Sequence, residues 1–288
     1  MTTPASTPFL CIGHLCHDRL TGGGHVLGGT AAYVSLVLRQ LGYPAAILTS
    51  LGPDFAFRAQ FDGPGIPLLA KPAARTTVFE NIYLDNGQRT QYLHARAAEL
   101  RPEDVPPAWQ EAEIVLFCPI ADEIDPALFQ VFPKALKGAT IQGWLRQWDA
   151  QGLVRPKAMD WTQLAGLDLV ILSDADIAGL DGALEALQTQ VPLLVLTQGA
   201  AGATVFQGGT ARHFPAYPVR AVDATGAGDV FAAVFMLRYA ESADVAQAAG
   251  FAHCAASLVV EGIGVDNLRS LDLVEQRFRA YSAGLPKD

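Results

Sequence analysis

Long hydrophobic runs are missing from this chain. Half of its 288 residues are hydrophobic, yet no apolar stretch approaches the ~20 residues that span a bilayer, so no membrane partner is expected. The segment Met1 to Pro8 lacks the basic and apolar regions of a secretory leader, and a cytoplasmic protein is expected on that ground. Cysteine is scarce too: Cys11, Cys16, Cys118 and Cys254 are scattered, with no Cys-x-x-Cys pair. Cys11, Cys118 and Cys254 fall in apolar runs and read as small buried hydrophobes. Cys16, His17 and Asp18 are metal-ligand types, but no second cluster accompanies them, so a zinc site is not expected. Basic charge is short as well. Twenty Lys and Arg face 29 Asp and Glu, a net −9, which argues against nucleic acid or anionic lipid as a partner. Any phosphorylated ligand must then be met locally, by backbone N–H groups, a few arginines and a metal ion. A Gly-x-Gly-x-x-Gly after the first strand, a Walker A loop, a Gly-x-Ser-x-Gly elbow and a His-Glu-x-x-His pair are all absent. That weighs against a dinucleotide-binding Rossmann protein, a P-loop enzyme, a serine hydrolase and a zinc protease.

What is present alternates. Apolar runs of strand length exchange with segments of helical period, the pattern of an α/β protein with a mainly parallel sheet and helices on both faces. Strands are expected at Phe9–Gly13, Ala45–Leu51, Ile114–Cys118, Leu169–Leu172 and Leu193–Thr197. An antiparallel pair, Thr204–Phe206 and Ala211–Phe214, should turn at Gly208 and Gly209. A helix should run from Thr30 to Leu41, stopped by Gly42 and Pro44. No repeat, low-complexity tract or linker interrupts the chain, so residues 1–288 read as one domain. Residues 76–94 break the rhythm: two β-rich runs flank Asp85, Asn86 and Gly87, a strong hairpin signal because a type I′ turn needs positive φ at both central positions. The hairpin carries Glu80, Asn81, Arg89, Gln91 and His94 and is either an ordinary surface hairpin or a lid over a ligand site.

The most informative stretch runs from Val222 to Ala233. A Gly-rich turn through Gly226, Ala227 and Gly228 opens a helix expected to reach Tyr239. Unpaired N–H groups at the positive end of a helix dipole make an anion site, and glycine lets the backbone approach a phosphate. Asp229, in the first helical turn, either stabilises the helix terminus or accepts a proton from a hydroxyl attacking a phosphoryl group held there.

The residues from Asp223 to Asp229 resemble the C-terminal signature of the PfkB (ribokinase-like) carbohydrate kinases. That resemblance implies a three-layer α/β/α fold with a small β lid, ATP and Mg2+ as cofactors, and phosphoryl transfer to a small sugar or polyol. It also implies Asp229 as the base and the Gly226, Ala227 and Gly228 amides as the anion hole, with Thr225 beside them at the nucleotide. Gly28 and Gly29 resemble the family's segment of close approach to substrate, and Asp18 falls where members bind substrate hydroxyls. Thr197, Gly199 and Gly202 resemble the segment bordering the nucleotide; His253, Gly262 and Gly264 resemble the helix and loop enclosing the adenine. A narrower likeness to plant myo-inositol kinase runs through Cys16 to Asp18, Asp54 to Phe57, and Gln142 to Arg146, with Thr140 where that subgroup has Asp. It makes Arg146 a contact for phosphate. Ser173 and Asp176 stand where members carry Asn and Glu linked to magnesium, so Asp176 is expected to meet the metal indirectly. Only nine residues separate Asp18 from Gly28, so the lid is expected to be reduced to the Thr76–His94 hairpin, and the protein to be a monomer or a homodimer built without the lid. Two alternatives stay open: a silent ligand-sensing relative, and a nucleoside kinase in which Phe55, Phe57, Tyr83 or Trp144 holds the base.

Overall fold

The structure, a computed structural model, describes residues 8–20, 22–83, 89–262 and 271–284. In chain order the strands are β1 (Phe9–Ile12), β2 (Cys16–Arg19), β3 (His25–Gly28), β4 (Ala45–Leu51) and β5 (Leu68–Pro72). Then come β6 (Thr77–Tyr83), β7 (Arg89–Ala95), β8 (Ile114–Phe117), β9 (Leu136–Thr140) and β10 (Arg146–Trp148). The last are β11 (Val154–Pro156), β12 (Leu169–Ser173), β13 (Leu193–Thr197), β14 (Ala203–Gln207) and β15 (Thr210–Phe214). The helices are α1 (Thr30–Gln40), α2 (Ala59–Asp62), α3 (Ala183–Gln190), α4 (Ala227–Ser242), α5 (Val245–Val260) and α6 (Leu271–Gly284).

Nine strands form the central sheet in the order β15-β14-β13-β12-β9-β8-β1-β4-β5. From β13 to β5 every pairing is parallel, and β14 and β15 add an antiparallel edge. Period-two alternation divides its side chains between two cores. Cys11, Ile47, Leu116, Ile171 and Val195 pack against α1, α4 and α5. Ile12, Leu48, Val115, Phe117 and Val170 pack on the other face with Trp109, Leu128, Phe129 and Leu187. Helix α4 is enclosed all round, with Val230 through Leu237 buried, which is why its sequence is continuously apolar rather than striped.

A second, four-stranded sheet has the order β3-β2-β6-β7. The hairpin of β6 and β7 lies where the sequence places it; its turn, with Asp85, Asn86 and Gly87, falls outside the described residues. The expectation that the short step from Asp18 to Gly28 leaves no room for strands is corrected. Cys16 to Arg19 pairs antiparallel with His25 to Gly28 and parallel with the start of β6. Two four-residue strands and a Gly-rich turn need only residues 16–28, with Asp18 and Gly28 themselves paired in the ladder. The small sheet is therefore twice the width of the hairpin alone.

Candidate active site

The carboxyl ends of β1, β8, β9, β12 and β13 share one edge of the parallel sheet, the edge beyond which open α/β sheets bind ligands. Helix α4 starts there. Gly226 caps it at φ 79° with no side-chain cap, and the Ala227 N–H closes the preceding turn on the Ala224 carbonyl at 3.2 Å. The N–H groups of Gly226, Gly228 and Asp229 therefore have no acceptor among the described residues. Of the three amides assigned to the anion hole, Ala227's is occupied by the turn. A Cβ on Gly226 would come within 2.7 Å of the Tyr33 ring, so both its φ and its neighbour require glycine.

The small sheet closes over this helix terminus. Its pleat sends Cys16, Asp18, Phe79, Asn81 and Gln91 to one face, and these line a cavity of about 320 Å³ with Gly29, Thr30, Tyr33, Gln142, Arg146, Thr225, Gly226, Gly228 and Asp229. His17, Arg19, His25, Val78 and His94 point to the opposite face, around a separate cavity. Gly28 backs Asp18 closely: a Cβ there would stand 2.3 Å from the Asp18 carboxylate and 2.8 Å from Cys16 Sγ.

Asp229 is half-buried in this cavity, and loss of hydration pushes its pKa up to about 6. The Thr30 hydroxyl and the Arg146 guanidinium oppose that rise, while the nearby charges of Asp176 and Asp18 add to it. Burial, with the charges of Asp18 and Asp229, holds the Tyr33 phenol at about 12, so it keeps its proton. Arg146 donates from Nη1 to the Ile120 carbonyl at 2.9 Å and from Nη2 to Gln142 Oε1 at 2.6 Å. Its guanidinium stands 5.5 Å from the Phe79 ring centre. The carbonyl it uses belongs to a turn pinned by the fully buried Glu123, which accepts from the N–H groups of His14, Ile120 and Ala121.

Not every expected residue reaches the cavity. Thr197 ends β13 and donates to the Leu172 carbonyl at 3.2 Å. Gly202 takes φ 112°, where a Cβ would strike the Phe214 carbonyl at 2.2 Å; Gly199 sits between them, exposed at φ 56°. This segment follows the sheet edge but lies outside the cavity lining. His253 is a correction: its Nε2–H donates to the Phe214 carbonyl at 3.1 Å, and its ring packs on Phe231 at 4.9 Å. Burial lowers its pKa to about 4, so it is a neutral core histidine on the inner face of α5. Gly262 follows α5, and Gly264 lies outside the described residues. Asp176 lines an adjoining cavity of about 440 Å³ that shares Gln91, Gln142 and Arg146 with the first. Its Oδ2 accepts from the Ser173 N–H and hydroxyl, and its Oδ1 accepts from Gln142 Nε2.

Among the described side chains, the aromatic candidates Phe55, Phe57 and Trp144 do not line the cavity; the side chain of Tyr83 lies outside them. Trp144 is buried and bonded to the Ile124 carbonyl, while Phe55 and Phe57 pack on His17. Sequence reasoning passed over Thr30 and Phe79 and gave Tyr33 and Gln142 no role. Thr30 and Tyr33, three residues apart on one helix face just after Gly29, carried a readable signal.

The model of the pfkB family of carbohydrate kinases matches residues 17–271, and the chain belongs to that family. The chain is 29% identical to the inositol 3-kinase of Oryza sativa subsp. japonica, over 93% of this chain and 72% of that one. It is 28% identical to the bifunctional protein HldE of Caulobacter vibrioides over 86% of its own length, but spans only 55% of HldE. A solved pyrophosphate-dependent kinase of the ribokinase family, in complex with a pyrophosphate analogue and myo-inositol, superposes with a TM-score of 0.74 at 21% identity. The match covers 88% of this chain and 94% of that one. The fold is thus ribokinase-like, and the chain is a carbohydrate kinase.

Proposed function

We propose that this carbohydrate kinase transfers the γ-phosphoryl group of ATP to a hydroxyl of a polyol of the inositol type. The observation that carries the reading is the placement of Asp229: a carboxylate with its pKa raised to about 6 stands at an uncapped helix terminus, in one cavity with Asp18. An acceptor hydroxyl between the two carboxylates gives its proton to Asp229 as its oxygen bonds to phosphorus. The bond from phosphorus to the bridging oxygen breaks, and ADP leaves with that electron pair. The N–H groups of Gly226 and Gly228 donate to the oxygens of the transferred group, where charge is redistributed in the transition state. Tyr33, with a proton it does not lose, offers a donor beside them.

Polar groups from Asp18, Asn81, Gln91 and Gln142 supply the alternating donors and acceptors that a ring of hydroxyls needs. Resemblance to an inositol 3-kinase supports the same acceptor class, and Trp144's commitment to the core weakens the nucleoside alternative. The residues fit a hydrated magnesium ion. The charges of Asp176 and Asp18 lie close enough to Asp229 to raise its proton affinity, a field that a divalent cation relieves, and magnesium usually keeps waters and donor phosphates as ligands. When bound, the ion would neutralise phosphate charge, and Asp176, through water, is the side chain that would hold it. In this reading the four-stranded sheet is the lid.

Coupled release of product from a grid of donors (ATP, GTP and pyrophosphate, each with magnesium) and acceptors (myo-inositol, fructose, ribose, adenosine) tests the proposal. Turnover with ATP and myo-inositol is expected. A preference for adenosine would overturn the acceptor class, and turnover with pyrophosphate alone would overturn the donor.

A further inference from the structure

A continuous hydrogen-bonded path runs from the end of β12 to the cavity. The Ser173 N–H and hydroxyl both donate to Asp176 Oδ2 at 2.8 Å. Asp176 Oδ1 accepts from Gln142 Nε2 at 2.8 Å, and Gln142 Oε1 accepts from Arg146 Nη2 at 2.6 Å. The amide of Gln142 can take only this orientation. Reversed, it would set its carbonyl against a carboxylate and its NH2 against a guanidinium. The path is thus polar in one sense: carboxylate, amide donor, amide acceptor, cation.

Backbone geometry enforces the same placement. Gly143, between Gln142 and Arg146, donates to the Pro119 carbonyl at 3.0 Å. A Cβ on it would meet Pro119 and Ile120 backbone atoms at 2.2 and 2.3 Å. The turn carrying Gln142 therefore lies flat on the loop whose Ile120 carbonyl is the second anchor of Arg146. Among the described residues that line the cavity, Arg146 is the single cation beside the two carboxylates Asp18 and Asp229. Arg146 also lines the adjoining cavity with Asp176. A polyanion brought next to two carboxylates needs a fixed positive charge at that junction, and a guanidinium held on two sides has already given up most of its rotamer freedom.

We propose that Ser173, Asp176 and Gln142 form a positioning relay that fixes the Arg146 guanidinium on the phosphate group passing between donor and acceptor. The relay rests on the phosphoryl-transfer reading above and gives Asp176 a different principal role, which is to hold Arg146 rather than the metal. Arg146 touches the transferred group; the other three act through it.

A double-mutant cycle on the full chain tests this, with two readouts. The first is kcat with ATP and myo-inositol, or with whichever pair the grid identifies. The second needs no turnover: calorimetric binding of magnesium tripolyphosphate. Asp176→Ala, Gln142→Ala and Arg146→Ala are each measured alone, and the first two again in the Arg146→Ala background. Alone, each relay substitution is expected to lower kcat and weaken tripolyphosphate binding by about tenfold, the scale of a charge-assisted hydrogen bond. In the Arg146→Ala background the same substitutions should change either readout less than about twofold. Equal losses in both backgrounds would overturn the relay. So would full recovery of Asp176→Ala by raised magnesium whatever stands at position 146, which makes Asp176 a metal residue. Wild-type protein that binds no tripolyphosphate also overturns it. Tripolyphosphate binding with the expected coupling but no turnover with any acceptor leaves the relay standing and sinks the kinase reading alone. Melting curves identify any variant that is misfolded; Gln142→Leu then replaces Gln142→Ala, keeping the volume without the amide.

Discussion

At the scale of the residue, Asp229 is held between two demands. A base must be ionised to accept a proton, yet must not be so stabilised as an anion that it has no affinity for one. Loss of hydration raises its pKa to about 6, with Thr30 and Arg146 holding back a larger rise. The acidic limb of kcat/KM, which reports the free enzyme, should therefore fall near pH 6, with the value rising as Asp229 loses its proton. Arg146→Gln removes a charge that favours the ionised form, so the limb should move to higher pH; a limb that stays in place would detach Arg146 from Asp229. The same shift bears on stability. A folded pKa above the unfolded value near 3.8 means that the folded state binds the extra proton. The resulting stabilisation is full below the unfolded pKa and fades as pH rises through about 6. Asp229→Asn should accordingly raise the melting temperature at pH 7.5, with the gain shrinking towards pH 4. An equal gain at both pH values would point to packing instead of charge.

At the scale of the element, the turn opening α4 is the most legible part of the site, because everything it needs is adjacent in the chain. Gly226 supplies a left-handed residue, Gly228 an open backbone, and Asp229 a carboxylate one step inside the helix. Gly226→Ala should lower both stability and kcat. The left-handed conformation alone costs about 1–2 kcal/mol for a residue with a Cβ, and the Tyr33 ring must move as well. Thermal melting and initial rates would read this, and a fully active Gly226→Ala variant would contradict the close fit of Tyr33. Other elements were not legible, for equally local reasons. Strands β2 and β3 are four residues each and joined through Gly23 and Gly24, so neither their length nor their pattern marks them as strands. His253 sits in a helix whose neighbours are apolar on nearly every side, and the carbonyl that fixes its ring is 39 residues away. Asp176 gives the same lesson in reverse. Its carboxylate could be noticed in the sequence, but its partner Gln142 lies 34 residues back, on a strand connection that only the β9–β12 pairing brings alongside.

At the scale of the whole molecule, the site is shared between two sheets. The central sheet and α4 provide Asp229 and the helix terminus, while the small sheet provides Asp18, Phe79, Asn81 and Gln91. The alternation of apolar runs made most of the larger sheet readable, since a strand buried on both faces declares itself by composition, but β9 and the edge strand β5, interrupted by Lys137 and Lys71, carry no such run. The smaller one depends on pairing between residues 16–28 and 77–95, and pairing across that distance leaves no mark in local composition. An acceptor held between the sheets should tie them together. Adding acceptor is expected to slow amide hydrogen exchange in Cys16–Arg19 and in Phe79–Ile82 while leaving β14 and β15 unchanged. Protection confined to the central sheet would mean that the small sheet takes no part in binding.

The most direct test of the central claim is the turnover of Asp229→Asn beside that of the wild type, with donor affinity measured on both. The account predicts that kcat falls by about 10²–10⁴-fold, the usual contribution of a positioned base, while the dissociation constant for magnesium ATP changes little. An asparagine variant that still turns over at a rate near that of the wild type would contradict it, because the carboxylate at the head of α4 would then have no part in moving the proton.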